Sequence, residues 1–174
     1  PDPRGIIPVG GLRVSRSLRR SFKRFEIRID TAFVDVMHRC GDPSRPGRWI
    51  TAEIVDAYTA LYDLGWAHSI EVWRNDQLVG GLYGLVIGRM FFAESMFSAQ
   101  DHGSKVALLS LAHSMSAWGW PLIDAQVENP HLRTLGAHAL PGKVGVRGWL
   151  GREAVVGKGG SEDGIDLLRH RAVE

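Results

Sequence analysis

The stretch that decides the fold is HSIEVWRNDQLVGGLYGLVIGRMFFAESMF, residues 68–97. It contains three largely apolar runs, separated by the turn pairs Asn75-Asp76 and Gly88-Arg89. Runs rich in β-branched and aromatic residues, joined by two-residue turns, are typical of consecutive antiparallel strands. The stretch therefore predicts a three-stranded antiparallel meander, with strands over 68–74, 77–87 and 90–97.

Residues on both sides of the meander predict helices that pack on the sheet. Thr31 and Thr51 each stand where a helix cap is expected, and Ile54, Tyr58 and Leu61 form an apolar stripe after Thr51. The other expected elements are an extended lead-in over residues 1–12, a strand at 25–29, a helix over 104–118, a strand over 120–127 and a short helix over 131–138. This order predicts an α+β fold of the GNAT-like kind, with a mostly antiparallel sheet flanked by helices.

Composition bounds the class of protein. The chain has 174 residues, of which 44% are hydrophobic and 23% charged, which is typical of one folded domain. No apolar run approaches the roughly 18 residues of a membrane span, and the first residues lack a signal-peptide pattern. Cys40 is the single cysteine, so an internal disulfide is excluded. We therefore expect a cytoplasmic monomer that does not bind membranes.

Positive charge is concentrated near the start of the chain. Residues 1–30 carry eight Arg or Lys side chains against three Asp or Glu, a net +5 in a chain whose total is +2. Such a cluster is either a solvated basic arm or a surface for a polyanion. Phe22 and Phe25 lie among the charges and favour an anchored binding surface.

One alternative function is acetyl transfer from coenzyme A, because the fold is shared with such enzymes. Those enzymes hold the pyrophosphate on a glycine-rich turn before the helix that follows the meander. The corresponding stretch here, SAQDHGSK (98–105), has a single glycine in a polar turn. Cradling of a phosphate by successive backbone N–H groups is therefore disfavoured.

Polar residues interrupt two apolar strands in a way that a simple core would avoid. Glu94 lies near the end of the third meander strand, and Asp124 and Gln126 lie two positions apart on a later one. Strand alternation places Asp124 and Gln126 on one face, about 7 Å apart. Such a group can orient an amine that attacks an ester, or it can form a purely structural hydrogen-bond network. No Ser/His/Asp or Cys-His pair indicates a covalent nucleophile.

A family resemblance extends over most of the chain. The segments that carry it are VSRSLRRSFKR (14–24), GRWITAEIVDAY (47–58), WAHSIEVW (66–73), LVGGLYG (78–84), FFAESMFS (91–98), SKVALLSL (104–111), LIDAQVENPHLRTLGA (122–137) and LP (140–141). In this order they closely resemble leucyl/phenylalanyl-tRNA–protein transferases. The resemblance covers about residues 1–141, and the ESMFS and LIDxQV segments are highly specific.

The resemblance implies an activity and partners. Members of the family transfer leucine or phenylalanine from aminoacyl-tRNA to proteins that begin with Arg or Lys, which marks those proteins for degradation. The implied partners are the charged tRNA and the acceptor proteins. No cofactor, metal or ATP is implied, because the aminoacyl ester is already activated.

The resemblance also implies roles for individual residues. Asp124 and Gln126 match the catalytic pair that activates the acceptor amine, and Glu94, Ser95 and Asn129 match substrate-binding residues. The pocket for the aminoacyl side chain and the terminal adenosine is matched by Trp49, Tyr58, Leu82, Phe91, Met96, Leu111 and Met115. The residues that match the tRNA-binding segment are Arg13, Arg16, Arg19, Arg20, Lys23 and Arg24.

Several departures from the family pattern accompany the resemblance. The family's N-terminal domain is missing before residue 1, and Leu111 and Met115 replace larger aromatic residues. Ala99 and Gly142 stand where the family has arginine, and residues 142–174 form a divergent glycine-rich tail after the transferase domain of residues 1–141. These departures support a second hypothesis, a weakened remnant that only binds tRNA.

Overall fold

The computed structural model describes residues 3–45 and 49–140. The predicted tail at 142–174, the departure at Gly142 and the end of the LP segment lie outside these residues. The strands are β1 (Arg4–Pro8), β2 (Glu26–Ile29), β3 (Ala67–Arg74), β4 (Gln77–Ile87), β5 (Met90–Ser98), β6 (Leu122–Gln126) and β7 (His138–Leu140). The helices are α1 (Arg16–Phe22), α2 (Phe33–Cys40), α3 (Ala52–Asp63), α4 (Gly103–Ala117) and α5 (Pro130–Thr134).

The seven described strands form one sheet in the order β2-β3-β4-β5-β6-β1-β7. Strands β3, β4 and β5 are consecutive antiparallel neighbours, which confirms the predicted meander. Only β5 and β6 pair in parallel among these strands, because α4 connects them as a crossover. The α+β fold with a mostly antiparallel sheet is therefore confirmed.

Apolar cores lie on both faces of the sheet. On one face α4 packs through Val106, Ala112 and Met115, and the side chain of His113 is exposed. On the other face α2 and α3 pack through aromatic residues, with the Phe33 and Tyr62 rings stacked at 4.6 Å. No described helix is both long and apolar enough to cross a membrane.

A glycine allows the close contact between α4 and the sheet. A Cβ atom on Gly80 of β4 would lie 2.6 Å from the Cα atom of Gly103, the first residue of α4. Such an approach is impossible for a larger residue without movement of the backbone. Gly80 therefore leaves room for the backbone at the start of α4.

The prediction for the first twelve residues is wrong. Residues 4–8 are not an extended lead-in but strand β1, which pairs with β6 on one side and β7 on the other. Ile6 and Ile7 are fully buried in this strand. A five-residue strand ending in proline has too little alternation to be recognised, and its stability comes from its two neighbours.

Three local predictions differ from the structure. Thr31 does not cap α2; its backbone N–H and its hydroxyl donate to the buried Glu71 carboxylate instead. Helix α4 begins one residue before the expected Ser104, after His102 in the left-handed conformation. The expected helix at 131–138 ends at Thr134, because Gly136 adopts a positive φ and the chain then enters β7.

Candidate active site

Glu94 lies at a β-bulge. Tyr83 and Gly84 are consecutive on β4, but their partners on β5 are Ser95 and Ala93, so Glu94 is the extra residue between them. A bulge bends a strand locally and re-aims the side chain that it carries. The bulge therefore directs a partly buried carboxylate out of the regular alternation of β5.

Gln126 reaches the Glu94 carboxylate. The side-chain Nε2 of Gln126 donates to Oε2 of Glu94 over 2.6 Å. In this orientation, the amide presents its N–H group to the carboxylate oxygen, which accepts the hydrogen bond. Gln126 has a φ of +59°, so β6 ends here in a left-handed conformation and not in the regular alternation that the sequence predicts. The side chains of Gln126 and Glu94 nevertheless meet.

Asp124 is fully buried and uses both of its carboxylate oxygens. Its Oδ1 accepts from the backbone N–H of Gln126 over 2.8 Å, and its Oδ2 accepts from Nε of Arg4. Arg4 lies at the start of β1 and is partly exposed. The predicted pair of Asp124 and Gln126 is therefore joined through one backbone N–H and anchored by a cation.

Tyr58 of α3 borders the same group. Partial burial and the nearby Glu94 carboxylate raise the pKa of Tyr58 to about 12. The Tyr58 ring meets the Tyr83 ring edge to face, with centroids 5.4 Å apart. The Tyr83 hydroxyl is buried and has no hydrogen-bond partner among the described residues. Burial is also the main cause that raises the pKa of Tyr83.

The predicted aminoacyl pocket divides between the two faces of the sheet. Leu82, Phe91, Leu111 and Met115 are fully buried in the core beneath α4, and Met96 packs against that core. Tyr58 lies on the opposite face with α3. The structure therefore brings five of the predicted lining residues together in the core beneath α4, but it separates Tyr58 from them.

The other predicted substrate-binding residues take separate positions. Trp49 is 44% exposed just before α3. Asn129 is the N-cap of α5, where its Oδ1 accepts from the Leu132 N–H over 2.9 Å. Ser95 lies beside the buried thiol of Cys40, and burial is the main cause that raises the pKa of that thiol to about 11. In the described part of the chain, none of these three side chains hydrogen-bonds to Glu94 or Gln126.

A groove of about 510 Å³ opens at the β3–β4 turn and is lined by residues that include Asp76, Gln77 and Gln100. Neither Glu94 nor Gln126 lines it, so it is separate from the candidate site. No group of three His, Cys, Asp or Glu residues within 3–45 and 49–140 is arranged to hold a metal ion.

The predicted tRNA-binding residues are all exposed and lie in α1 or within three residues of it. Ser15 caps this helix, and Leu18 fixes it to the core as a buried anchor. Arg16, Arg19, Arg20 and Lys23 follow the spacing i, i+3, i+4, i+7, which places them on one face, opposite Leu18. We call these four side chains the basic stripe. All four are exposed, and none is in an ion pair within the described part of the chain.

Comparison with known proteins identifies the family. The family model described as leucyl/phenylalanyl-tRNA protein transferase matches residues 6–144. The chain belongs to this family. Its match includes all of the strands and helices above except the first two residues of β1.

Individual members of the leucyl/phenylalanyl-tRNA–protein transferase family are close relatives. The enzyme of that name from Thiobacillus denitrificans is 51% identical over 145 residues, covering 81% of this chain and 64% of the relative. The one from Xanthomonas euvesicatoria is 54% identical over 146 residues, covering 81% of this chain and 58% of the relative. The chain thus spans about three fifths of the length of these relatives.

A solved structure supports the fold of this family member. A conserved protein of unknown function from Staphylococcus epidermidis has a TM-score of 0.53 and 15% sequence identity, with 79% of this chain and 56% of that chain covered. At this level of identity, the similarity shows a shared fold and nothing about activity.

Arg4 is the site residue that the sequence analysis missed. Its segment, RGIIP, carries no recognisable motif, and the ion pair joins residues 120 positions apart. The available signal was Asp124 itself, because a carboxylate in an apolar strand needs a cation or N–H donors nearby. That rule predicts that a partner exists, but it does not identify Arg4.

Proposed function

We propose that the protein transfers leucine or phenylalanine from aminoacyl-tRNA to the N-terminal amine of proteins that begin with Arg or Lys. The modified proteins are thereby marked for degradation. The observation that carries the proposal is the contact between Gln126 and Glu94, with Asp124 behind it, in a chain of this family. The family resemblance matches Asp124 and Gln126 to the pair that activates the acceptor amine, and it matches Glu94 to a substrate-binding residue.

The arrangement supplies hydrogen-bond acceptors for an incoming amine. The Nε2 group of Gln126 already donates a hydrogen bond to Glu94. The Oε1 atom of Gln126 is therefore the part of the amide that accepts a hydrogen bond from the amine. An N-terminal amine has a pKa of about 7.7–8.0, so a large fraction is already neutral at slightly alkaline pH. The site therefore has mainly to orient the nucleophile.

The reaction itself is an aminolysis of an ester. The amine nitrogen forms a bond to the aminoacyl carbonyl carbon, and the bond from that carbon to the ribose oxygen breaks. The proton lost by the amine passes to the departing ribose oxygen, which restores the hydroxyl of the tRNA. No redox step or external energy source is needed, because the ester bond is already activated.

Selection of the amino acid is assigned to the apolar lining beneath α4. Leu82, Phe91, Leu111 and Met115 present only apolar surface. Such a lining rejects polar side chains, but separates apolar ones by only about 1–3 kcal/mol per methylene group. Because these residues are fully buried, binding requires the lining to open.

The basic stripe is assigned to the tRNA. Exposed, unpaired cations on one helix face suit a phosphate backbone, and such contacts position a nucleic acid without reading its sequence. The turn at 98–105 does not favour coenzyme A. The N–H groups of Ala99 and Gln100 donate to the Val79 carbonyl, and the Ser104 N–H donates to the Ser98 hydroxyl. These donors are therefore not free to hold a pyrophosphate.

One experiment separates the hypotheses. The protein is mixed with tRNA charged with labelled phenylalanine and with a peptide that begins with arginine, and labelled peptide is measured. Transfer that is lost in Asp124→Ala supports the proposal. Binding of tRNA without transfer supports the non-catalytic remnant, and labelling of the peptide by acetyl-CoA supports an acetyltransferase. A peptide that begins with glutamate is the matched control for acceptor choice.

A further inference from the structure

The ion pair between Arg4 and Asp124 connects the first strand to the candidate site. Arg4 begins β1, and Asp124 lies on the adjacent β6, where it is fully buried. The remaining oxygen of Asp124 accepts from the backbone N–H of Gln126. A continuous chain of contacts therefore runs from Arg4 through Asp124 to the residue that contacts Glu94.

The conformation of Gln126 needs this support. A φ of +59° is unusual for a residue other than glycine, and it persists where the surroundings enforce it. The hydrogen bond to Asp124 holds the backbone N–H of Gln126, and Gly5 lies opposite Gln126 in the sheet. A Cβ atom on Gly5 would lie 2.7 Å from the backbone nitrogen of Glu128, so β1 closely contacts this turn.

Asp124 is fully buried, so neither of its carboxylate oxygens is open to a substrate in this structure. Each carboxylate oxygen is already paired, one with a guanidinium and one with a backbone N–H. A group that must accept a proton from the amine needs an accessible oxygen within about 2.6–3.2 Å of it. The geometry therefore favours an anchoring role for Asp124 over a role as general base.

We propose that Arg4 is a positioning residue for the transfer reaction, which acts through Asp124 to hold the Gln126 amide against Glu94. The proposal rests on the function proposed above. If Asp124 only holds Gln126 in place, the transfer reaction does not need the negative charge of Asp124, provided that a neutral partner of matching shape replaces Arg4.

The test compares Arg4→Gln, Asp124→Asn and the double variant in the phenylalanine-transfer assay, with kcat and KM determined for the peptide. Arg4→Gln leaves the buried Asp124 carboxylate without its cation, and Asp124→Asn leaves Arg4 without its carboxylate. Each single change is expected to lower kcat by about 100-fold, the cost of misplacing a reacting group. In the double variant, the two introduced amides pair, and the amide oxygen at position 124 still accepts from the Gln126 N–H. The double variant is expected to recover at least about tenfold over Asp124→Asn.

Arg133→Gln is the matched control, because Arg133 pairs with Glu128 at the surface and belongs to no part of the proposed site. Its kcat is expected to equal that of the wild type. A folded double variant that is as inactive as Asp124→Ala would overturn the proposal, since the carboxylate would then perform the proton chemistry. Wild-type kcat in Arg4→Gln would overturn it as well.

Two further measurements keep the test decisive. Circular dichroism verifies folding, and where a single variant does not fold, the double variant is compared directly with the wild type. Hydrogen exchange of the Gln126 amide is measured without tRNA, and Arg4→Gln is expected to accelerate it. Unchanged exchange would contradict the proposal. Absence of transfer by the wild type would instead refute the proposed function, while the exchange result still decides the role of Arg4.

Discussion

The basic stripe leads to a quantitative prediction about salt. Each phosphate contact made by a cation contributes about −0.9 to the slope of log K against log salt concentration on a duplex. Four exposed, unpaired cations on one helix face therefore predict a slope of about −3.6. Between 50 and 200 mM salt, this slope corresponds to a loss of affinity of about 150-fold.

The perturbation is the double change of Arg19→Ala and Arg20→Ala. It removes two of the four cations and leaves the anchor Leu18 in place, so the helix is expected to remain folded. The slope should fall to about −1.8, and the loss of affinity over the same salt range should fall to about 12-fold.

The assay is fluorescence anisotropy of labelled tRNA at several potassium chloride concentrations. The matched control is Arg28→Ala with Arg133→Ala, because both of these arginines are already ion-paired with carboxylates. The control should keep most of the wild-type slope. An unchanged slope in the variant with altered Arg19 and Arg20, or an equal flattening in the control, would refute the assignment of tRNA phosphates to this face.

Three further predictions concern stability and titration. Tyr83→Phe removes a buried hydroxyl without a hydrogen-bond partner. Denaturant unfolding should therefore show an unchanged free energy of unfolding or a gain of up to about 1–3 kcal/mol. A clear loss would mean that the hydroxyl does form a hydrogen bond. Gly80→Ala forces a Cβ atom to within 2.6 Å of Gly103 and should destabilise the fold by at least about 1–3 kcal/mol. Gly10→Ala is the control, because the space around Gly10 is open, and it should change the stability by less than about 0.5 kcal/mol. Tyr58 should ionise near pH 12 in an ultraviolet difference titration against Tyr58→Phe, and Glu94→Gln should lower this value. The pKa of Tyr58 in the folded protein is raised above its unfolded value of about 10. The contribution of Tyr58 to stability is therefore complete below pH 10 and is lost as the pH rises through 12. Ionisation of Tyr58 near pH 10 in the folded protein would contradict the prediction.

The sequence predicted those parts of the fold whose signals are local. The meander followed from apolar runs and two-residue turns, and the cap of α3 at Thr51 followed from its position before an apolar stripe. Strand β1 was missed because its stability depends on β6 and β7, which lie more than a hundred residues away in the chain. Thr31 does not cap α2 as predicted, because its backbone N–H and its hydroxyl donate to the buried carboxylate of Glu71.

The candidate site was likewise predictable from the sequence only in part. The residue types Glu94, Asp124 and Gln126 were visible, because polar side chains stand out in apolar strands. The bulge at Glu94 and the left-handed φ of Gln126 were not visible, because both arise from pairing with neighbouring strands. The ion pair of Asp124 with Arg4 depends on the register between β1 and β6, which no local pattern specifies.

The position of β1 between β6 and β7 has a consequence for how the protein matures. During synthesis, residues 4–8 leave the ribosome more than a hundred residues before their sheet partners at 122–126 and 138–140. Pairing across such a separation is slow, because a long loop must close before any contact forms. The pairing of β1 with β6, and with it the ion pair of Arg4 and Asp124, is therefore expected to form late in folding, after the meander and α4 have already assembled.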